Sequence, residues 1–434
     1  MKRNLDIIIL AAGKGTRMKS PLPKIMHELS GKPLLQHVID TAKKLMPNNI
    51  YIVTGHKSDT VKNYFVHDKK LNFIYQKKQL GTAHAVMQVL PLIKNSQQQI
   101  LILYGDVPLI SHETLLQLIK KFSANKKIDL GMLTAILDDP KGLGRIIRHK
   151  NTIVKIIEEK EANAKEKLIN EINTGIYIST LQYLKNSLKK ITPHNSQGEY
   201  YLTDIITTKT GVTDIIVKDN IEISGVNDLE QLHQLECLHQ KNLSKQFRLS
   251  GVTVGPNVIF EGKVDIGAGS KIGANCVLKN VSIGEMVEIK PYCVIEDAVI
   301  KSHCKIGPFA RIRPGTQLFE NVSVGNFTEI KNSNIHQYSK IPHLSYIGDT
   351  KMGEKVNIGA GVITCNYDGI NKHKTIIGDN VFVGSDSQLI APIEIESGAF
   401  IGAGSTITKK APKNKLTLSR AKQVTLEHWK KPKE

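Results

Sequence analysis

Apolar residues recur along this chain in two rhythms, and the change between them near residue 250 divides it. Up to about residue 228, short apolar runs alternate with helical patterns. The runs predict strands at 6–11, 50–54, 72–76 and 100–104, and the amphipathic stretches predict helices near 33–46, 82–90 and 111–122. That alternation makes a mostly parallel, Rossmann-like α/β sheet with helices on both faces. Ligands of such sheets sit beyond the carboxyl ends of the strands. Leu229, Leu232, Leu235 and Leu238 then keep a helical period, which predicts a linker helix with Asn227 as a plausible N-cap.

From 252 to 408 an aliphatic residue, usually followed by glycine, recurs in steps of six. Ile306, Ile312, Leu318, Val324 and Ile330 form one unbroken run, and Ile377, Val383 and Leu389 another. A hexapeptide period is that of an all-β parallel β-helix, with three short strands per coil and the aliphatic side chain pointing inward. At about eighteen residues per coil, roughly eight or nine coils fit. Register breaks at 297–305 and 364–376 predict loops thrown out from the prism. The chain from Lys410 onward is basic and contains proline, which predicts a tail on the outside of the prism or partly mobile. The expected organisation is a first domain at 1–228, a linker helix at 229–250 and a β-helix domain at 251–434.

A length of 434 residues suits two domains, each with its own core. No apolar run approaches the length of a membrane span. Lys2 and Arg3 precede an apolar run, but Asp6 interrupts it and a polar loop follows, so it reads as a first strand of a cytoplasmic protein rather than a leader. The net charge of +19 fits nucleic-acid binding, polyanionic small substrates or a lysine-rich composition. Aromatics make up only 5% of the chain, too few for base-stacking platforms, so no nucleic-acid partner is expected. Five cysteines with no C-x-x-C spacing fit reduced thiols, and Cys276 and Cys293 fall at small-residue positions of the repeat.

The candidate chemistry begins where the first strand ends. Leu10-Ala11-Ala12-Gly13-Lys14-Gly15-Thr16-Arg17-Met18 runs on to Lys24. Glycines there let backbone amides face an anion, and Lys14, Arg17 and Lys24 surround the same volume. Met18 stands where a dinucleotide fingerprint has its third glycine, and Gly15 stands where a Walker loop has Ser or Thr. A polyphosphate cradle of another kind is the reading. Asp106 follows the apolar run 100–104 and Gly105, where a carboxylate serves a metal ion or a turn equally well.

This loop resembles the signature of the sugar-nucleotide pyrophosphorylases. YGDVPL (104–109), EINTG (171–175), GEYYLTD (198–204) and GVN (225–227) follow in the order of that family. GPFARIRPG (307–315), PHLSYIGD (342–349), NIGAG (357–361), TCNYDG (364–369) and VGSD (383–386) extend the match. From about residue 5 to about 430 the chain resembles the bacterial bifunctional N-acetylglucosamine-1-phosphate uridyltransferase / glucosamine-1-phosphate acetyltransferases. The resemblance implies a left-handed β-helix, a homotrimer, and synthesis of UDP-N-acetylglucosamine for peptidoglycan and lipopolysaccharide. It implies UTP and N-acetylglucosamine 1-phosphate as substrates of the first domain, and glucosamine 1-phosphate and acetyl-CoA as substrates of the second. It also implies Mg²⁺ on Asp106 and Asn227, with Arg17 and Lys24 neutralising the phosphates. Gln76, Gly81, Thr82, Tyr104 and Gly105 would surround the nucleotide, and Gly144, Glu158 and Asn173 the sugar.

In the second domain the resemblance makes His343 the general base, with Glu329 as a residue that could orient it. Arg313 and Lys331 would clamp the sugar phosphate, with Tyr346, Asn357 and Lys372 completing that pocket. Asn366, Tyr367, Ala360, Ser385, Ala403 and Arg420 would meet the acetyl group and coenzyme A. Two departures stand out. Ala83 occupies a position usually held by glycine, and the interval from the linker helix to the first hexads is about one coil shorter than usual. A nucleotidyltransferase with a purely structural β-helix, or a basic binding protein on the same fold, are the competing readings. His343 with Arg313 and Lys331 argues against the former, and Asp106 with the loop argues against the latter.

Overall fold

A computed structural model describes residues 4–432, which form two compact units divided between Leu238 and His239. The first is built on one sheet. From edge to edge its strands run Val212–Ile216, Leu130–Ile136, Glu171–Thr180, Gln99–Tyr104, Leu5–Ala11, Asn49–Thr54 and Leu71–Tyr75. The strand Glu171–Thr180 is antiparallel to both neighbours, and every other pairing along this row is parallel. A hairpin of Arg145–His149 and Thr152–Ile157 hangs from it. The strand Leu5–Ala11 explains why the sheet is covered on both faces. Ile7 and Ile9 enter one apolar cluster and Ile8 and Leu10 the other, as expected of a strand without a solvent face.

The second unit is a prism of short parallel strands. Ile306, Ile312, Leu318, Val324 and Ile330 are all at most 2% exposed and stack in its interior. Coils advance by 17 or 18 residues, as the Asn280–Asp297 and Asn257–Asn275 side-chain bonds between consecutive coils record. The segment 297–305, expected to be a loop, is regular: Val299–Ile300 pairs with strands on both sides and Ile300 is buried. The apparent break is a five-residue step at a tight corner. Asn280, Asp297, Asn332 and Asp349 take that corner with positive φ, a conformation Asn and Asp tolerate. Within 364–376 only the stretch between Cys365 and Thr375 leaves the prism, closed by a bridge between Tyr367 and Lys372; Thr364 and Thr375 lie buried in paired strands, and the coil there takes 25 residues.

The residues after Lys410 are not all tail. Ala411 bridges to Ile395, and Leu416–Thr417 pairs with Phe400–Ile401, adding part of a last coil before the exposed end. At the other end, the helix Leu229–Leu249 contributes Leu243 and Phe247 to the prism core, and the Phe247 ring lies 4.8 Å from that of Phe260. Gln240 donates to the Phe260 carbonyl and accepts from its amide at 2.8 and 3.0 Å. Among the described residues no helix is long and apolar enough to cross a membrane.

Candidate active sites

The strand Leu5–Ala11 delivers the glycine loop to a cavity of about 450 Å³ at the carboxyl edge of the sheet. Leu10, Ala11, Ala12, Gly13, Lys24, Gln76, Gly81, Thr82, Tyr104 and Asp106 all line it. Gly15 has φ +60°, and a Cβ there would lie 2.7 Å from Cβ of Lys24, so glycine lets the loop close over that lysine. Gly81 is equally constrained, with φ +110° and space for a Cβ only 2.5 Å from the carbonyl oxygen of Tyr200. The methyl of Ala83 turns the other way: the residue is fully buried in the apolar core and leaves the cavity wall to its neighbours. Gly105 does not line the cavity; a Cβ there would crowd Ala11 and Leu35 at 3.3 Å.

At the cavity the Lys24 ammonium forms an ion pair with Asp106 Oδ2 and lies 3.3 Å from Asn227 Oδ1. Arg17 donates to the same Asn227 oxygen at 2.9 Å. Asn227 is free to do this because it is not the helix cap. Asp228 takes that part, its carboxylate accepting from the Gln231 amide at 2.8 Å, while Gln231 reaches back to the Asn227 amide at 2.8 Å. The ammonium therefore stands between two hard oxygen donors, an arrangement that also suits a divalent cation. Among the described residues no three His, Cys, Asp or Glu gather into a complete metal site. Such an ion would draw its other ligands from phosphate and water.

A second cavity, about 270 Å³, shares Thr82 and Tyr104 with the first and brings in Gly144, Glu158 and Asn173. Burial raises the pKa of Glu158, and Thr203 donates to it at 3.4 Å. Asn173 accepts from the Tyr177 hydroxyl at 2.8 Å and from the Gly175 amide at 3.0 Å, which holds its side chain in place. Burial pushes the phenol of Tyr104 far up, so it is a neutral hydrogen-bonding group. Glu199 lines both cavities and was not singled out by sequence reasoning, although it lies inside the GEYYLTD motif.

In the prism, three cations converge. Lys331 lies against Lys372, and that proximity, burial and the nearby Arg313 lower its pKa. Arg313 is held by Glu329 at 2.6 Å. Glu329 is thus engaged by Arg313, and the partner of His343 is Asn326, whose Oδ1 lies 2.9 Å from Nδ1. The coil geometry decides this, since Asn326 is in register beneath His343 whereas Glu329 is in register beneath Tyr346. Tyr346 and Asn366 both close on Gly348, whose missing Cβ would meet the Tyr346 hydroxyl at 2.5 Å. Asn366 donates to Asp349, and Asn357 is half-buried on the strand beside Lys340. Tyr367 is 61% exposed on the projecting loop. Ala360, Ser385 and Ala403 follow one another on consecutive coils, joined by main-chain bonds, and Arg420 donates to the Ala403 carbonyl at 3.3 Å.

A doubly covered sheet with a phosphate-type loop, joined in one chain to a hexad prism with its own cation cluster, defines a two-headed transferase. Residues 7–134 match the MobA-like NTP transferase domain, 247–326 the GMPPB C-terminal domain, and 374–409 the bacterial transferase hexapeptide (six repeats). The chain is 47% identical over 452 residues to the bifunctional protein GlmU of Janthinobacterium sp. (strain Marseille), and equally to that of Herminiimonas arsenicoxydans, covering 99% of each chain. A UDP-glucose pyrophosphorylase crystallised with UDP-glucose is similar at 20% identity and a TM-score of 0.45, over 55% of this chain and 98% of that one. The chain belongs to the bifunctional GlmU family and is an enzyme with uridyltransferase and acetyltransferase activity.

Proposed function

We propose that the first unit joins UTP to N-acetylglucosamine 1-phosphate, and that the second makes that sugar phosphate from glucosamine 1-phosphate and acetyl-CoA. The observation that carries the first half is the meeting of Lys24, Asp106 and Asn227 beside the glycine loop. The triphosphate lies along that loop, with the base toward Gln76 and Gly81 and the sugar toward Gly144, Glu158 and Asn173. An oxygen of the sugar phosphate attacks the α-phosphorus in line, and pyrophosphate leaves. Arg17 and Lys24 hold the phosphates and offset the negative charge that develops. Mg²⁺ on Asp106 and Asn227 would supply further charge neutralisation and fix the phosphates' orientation.

In the second unit Arg313, Lys331 and Lys372 hold the sugar phosphate. The lowered affinity of Lys331 for its proton comes from crowded cations, which a bound dianion relieves. Asn326 accepts from Nδ1–H of His343 and leaves Nε2 with a free lone pair. That nitrogen takes the proton released as the sugar amine attacks the thioester carbonyl, and the thiolate of coenzyme A leaves. Ala360, Ser385 and Ala403 give the pantetheine a shallow path, ending near Arg420. A homotrimer fits the exposed ring column of the prism: Tyr292, Phe309 and Phe327 stack at 5.0 and 5.3 Å with 47–56% of each exposed. We assign the protein to the cytoplasm, where these substrates are made.

The test is one reaction with glucosamine 1-phosphate, acetyl-CoA, UTP and Mg²⁺, following coenzyme A and pyrophosphate separately. Both products are expected, coenzyme A without UTP and pyrophosphate only once acetylated sugar phosphate is present. Pyrophosphate release from glucosamine 1-phosphate without acetyl-CoA at a comparable rate would overturn the substrate assignment.

A further inference from the structure

The side chain of Gln76 lines the nucleotide cavity, although the residue is only 2% exposed. Its Nε2 lies 2.8 Å from Nδ1 of His84 and 3.4 Å from the carbonyl oxygen of Gly81. A carbonyl only accepts, so the amide nitrogen belongs on that side. Nδ1 of His84 is then an acceptor and the ring proton sits on Nε2. Burial lowers the pKa of His84, which favours this neutral ring. Among the described residues Oε1 of Gln76 meets no donor, and it is the atom left for a ligand.

The other ring nitrogen has a partner as well. The Gln88 amide lies 3.2 Å from Nε2 of His84 and 3.1 Å from the His84 carbonyl. Gln88 is half-exposed whereas Gln76 is buried, so Gln88 is the amide that turns over. Turned over, its oxygen would accept from Nε2–H at the expense of the bond that the Gln88 nitrogen makes to the His84 carbonyl.

We infer that His84 is the positioning residue behind base selection: by accepting from Gln76 it turns the amide oxygen into the cavity. There Oε1 accepts from N3–H of a uracil. It opposes a cytosine, whose N3 carries a lone pair where uracil carries a proton. The inference rests on the reading that this cavity takes a uridine nucleotide and names what makes it selective. Without an acceptor at Nδ1 the amide turns over freely, and the buried pair no longer penalises the wrong base.

The test measures kcat/KM for UTP and for CTP by pyrophosphate release, on the full chain with N-acetylglucosamine 1-phosphate and Mg²⁺. His84→Asn carries its oxygen close to the position of Nδ1, His84→Gln places its polar end near Nε2, and His84→Leu fills the volume without an acceptor. The preference for UTP is expected to fall about tenfold or more in the Gln and Leu variants and to stay within about threefold of the parent in the Asn variant. Circular dichroism checks folding, and if the Leu variant does not fold, the Asn–Gln comparison decides alone. An unchanged preference in Leu or Gln, or equal losses in all three, would overturn the role of His84. Gln76→Ala separates the two levels. If it collapses the preference and His84→Leu does not, only His84 is misassigned; if it has no effect, the uracil reading fails and the proposal with it.

Discussion

Replacing Asp106 with asparagine separates the two activities. The substitution keeps the shape of the side chain and removes one negative charge from a partly buried position, where Asp106 and Lys24 side chains are 21% and 13% exposed. At an effective dielectric of about 20, one unit charge at about 4 Å is worth roughly 4 kcal/mol. That corresponds to about 10³-fold in binding a cation at that point. Water and phosphate oxygens take up part of the loss, so uridylyl transfer is expected to fall by about 10²–10³-fold at fixed Mg²⁺. Part of it should return as Mg²⁺ is raised. Acetyl transfer, which depends on residues of the other compact unit, should stay within about twofold. The assay is pyrophosphate release from supplied N-acetylglucosamine 1-phosphate over a Mg²⁺ series, beside coenzyme A release from the same preparation. EDTA should reproduce the pattern in the parent protein. Equal loss of both activities in a folded variant, or an unaltered Mg²⁺ dependence, would refute the metal assignment and the separation of the sites.

His343→Ala should lower acetyl transfer by about 10²–10⁴-fold while uridylyl transfer is unchanged; a variant keeping over half its coenzyme A release would place the base elsewhere. Glu158 has its folded pKa raised by burial, so its contribution to stability is present at low pH and lost as pH rises through that folded value. Glu158→Gln should therefore melt higher than the parent at neutral pH, with the gap closing as the pH falls into the ordinary carboxyl range. Thermal melts across that range check it, and a gap that widens on acidification would contradict the burial argument. Fragments ending near 228 and beginning near 248 should behave differently, the first monomeric with uridyltransferase activity and the second trimeric with acetyltransferase activity. Light scattering on both, with assays, tests this, and a fully active monomer of the second fragment would count against the trimer as its active form.

What the sequence determined by itself was carried by short-range regularities. The hexad reports its own burial, because a side chain that must face inward on every turn leaves a fixed period. The loop 10–24 and Asp106 were legible because each sits just beyond a strongly apolar strand. Tertiary structure decided the partners. Asn227 reads equally well as cap or ligand until Asp228 is seen to take the cap, and its oxygen meets Lys24 across 203 positions of sequence. Glu329 and Asn326 both lie near His343 in sequence; the register of one coil on the next gives Arg313 to the first and His343 to the second. The length of that coil was also hidden, since counting in sixes cannot anticipate a corner where Asn or Asp with positive φ shortens one side to five. Ala83 stands where glycine is usual, and only the structure shows its methyl in the core rather than at the cavity wall. A local pattern records which way a side chain faces, but which group it meets depends on strands brought side by side from distant parts of the chain.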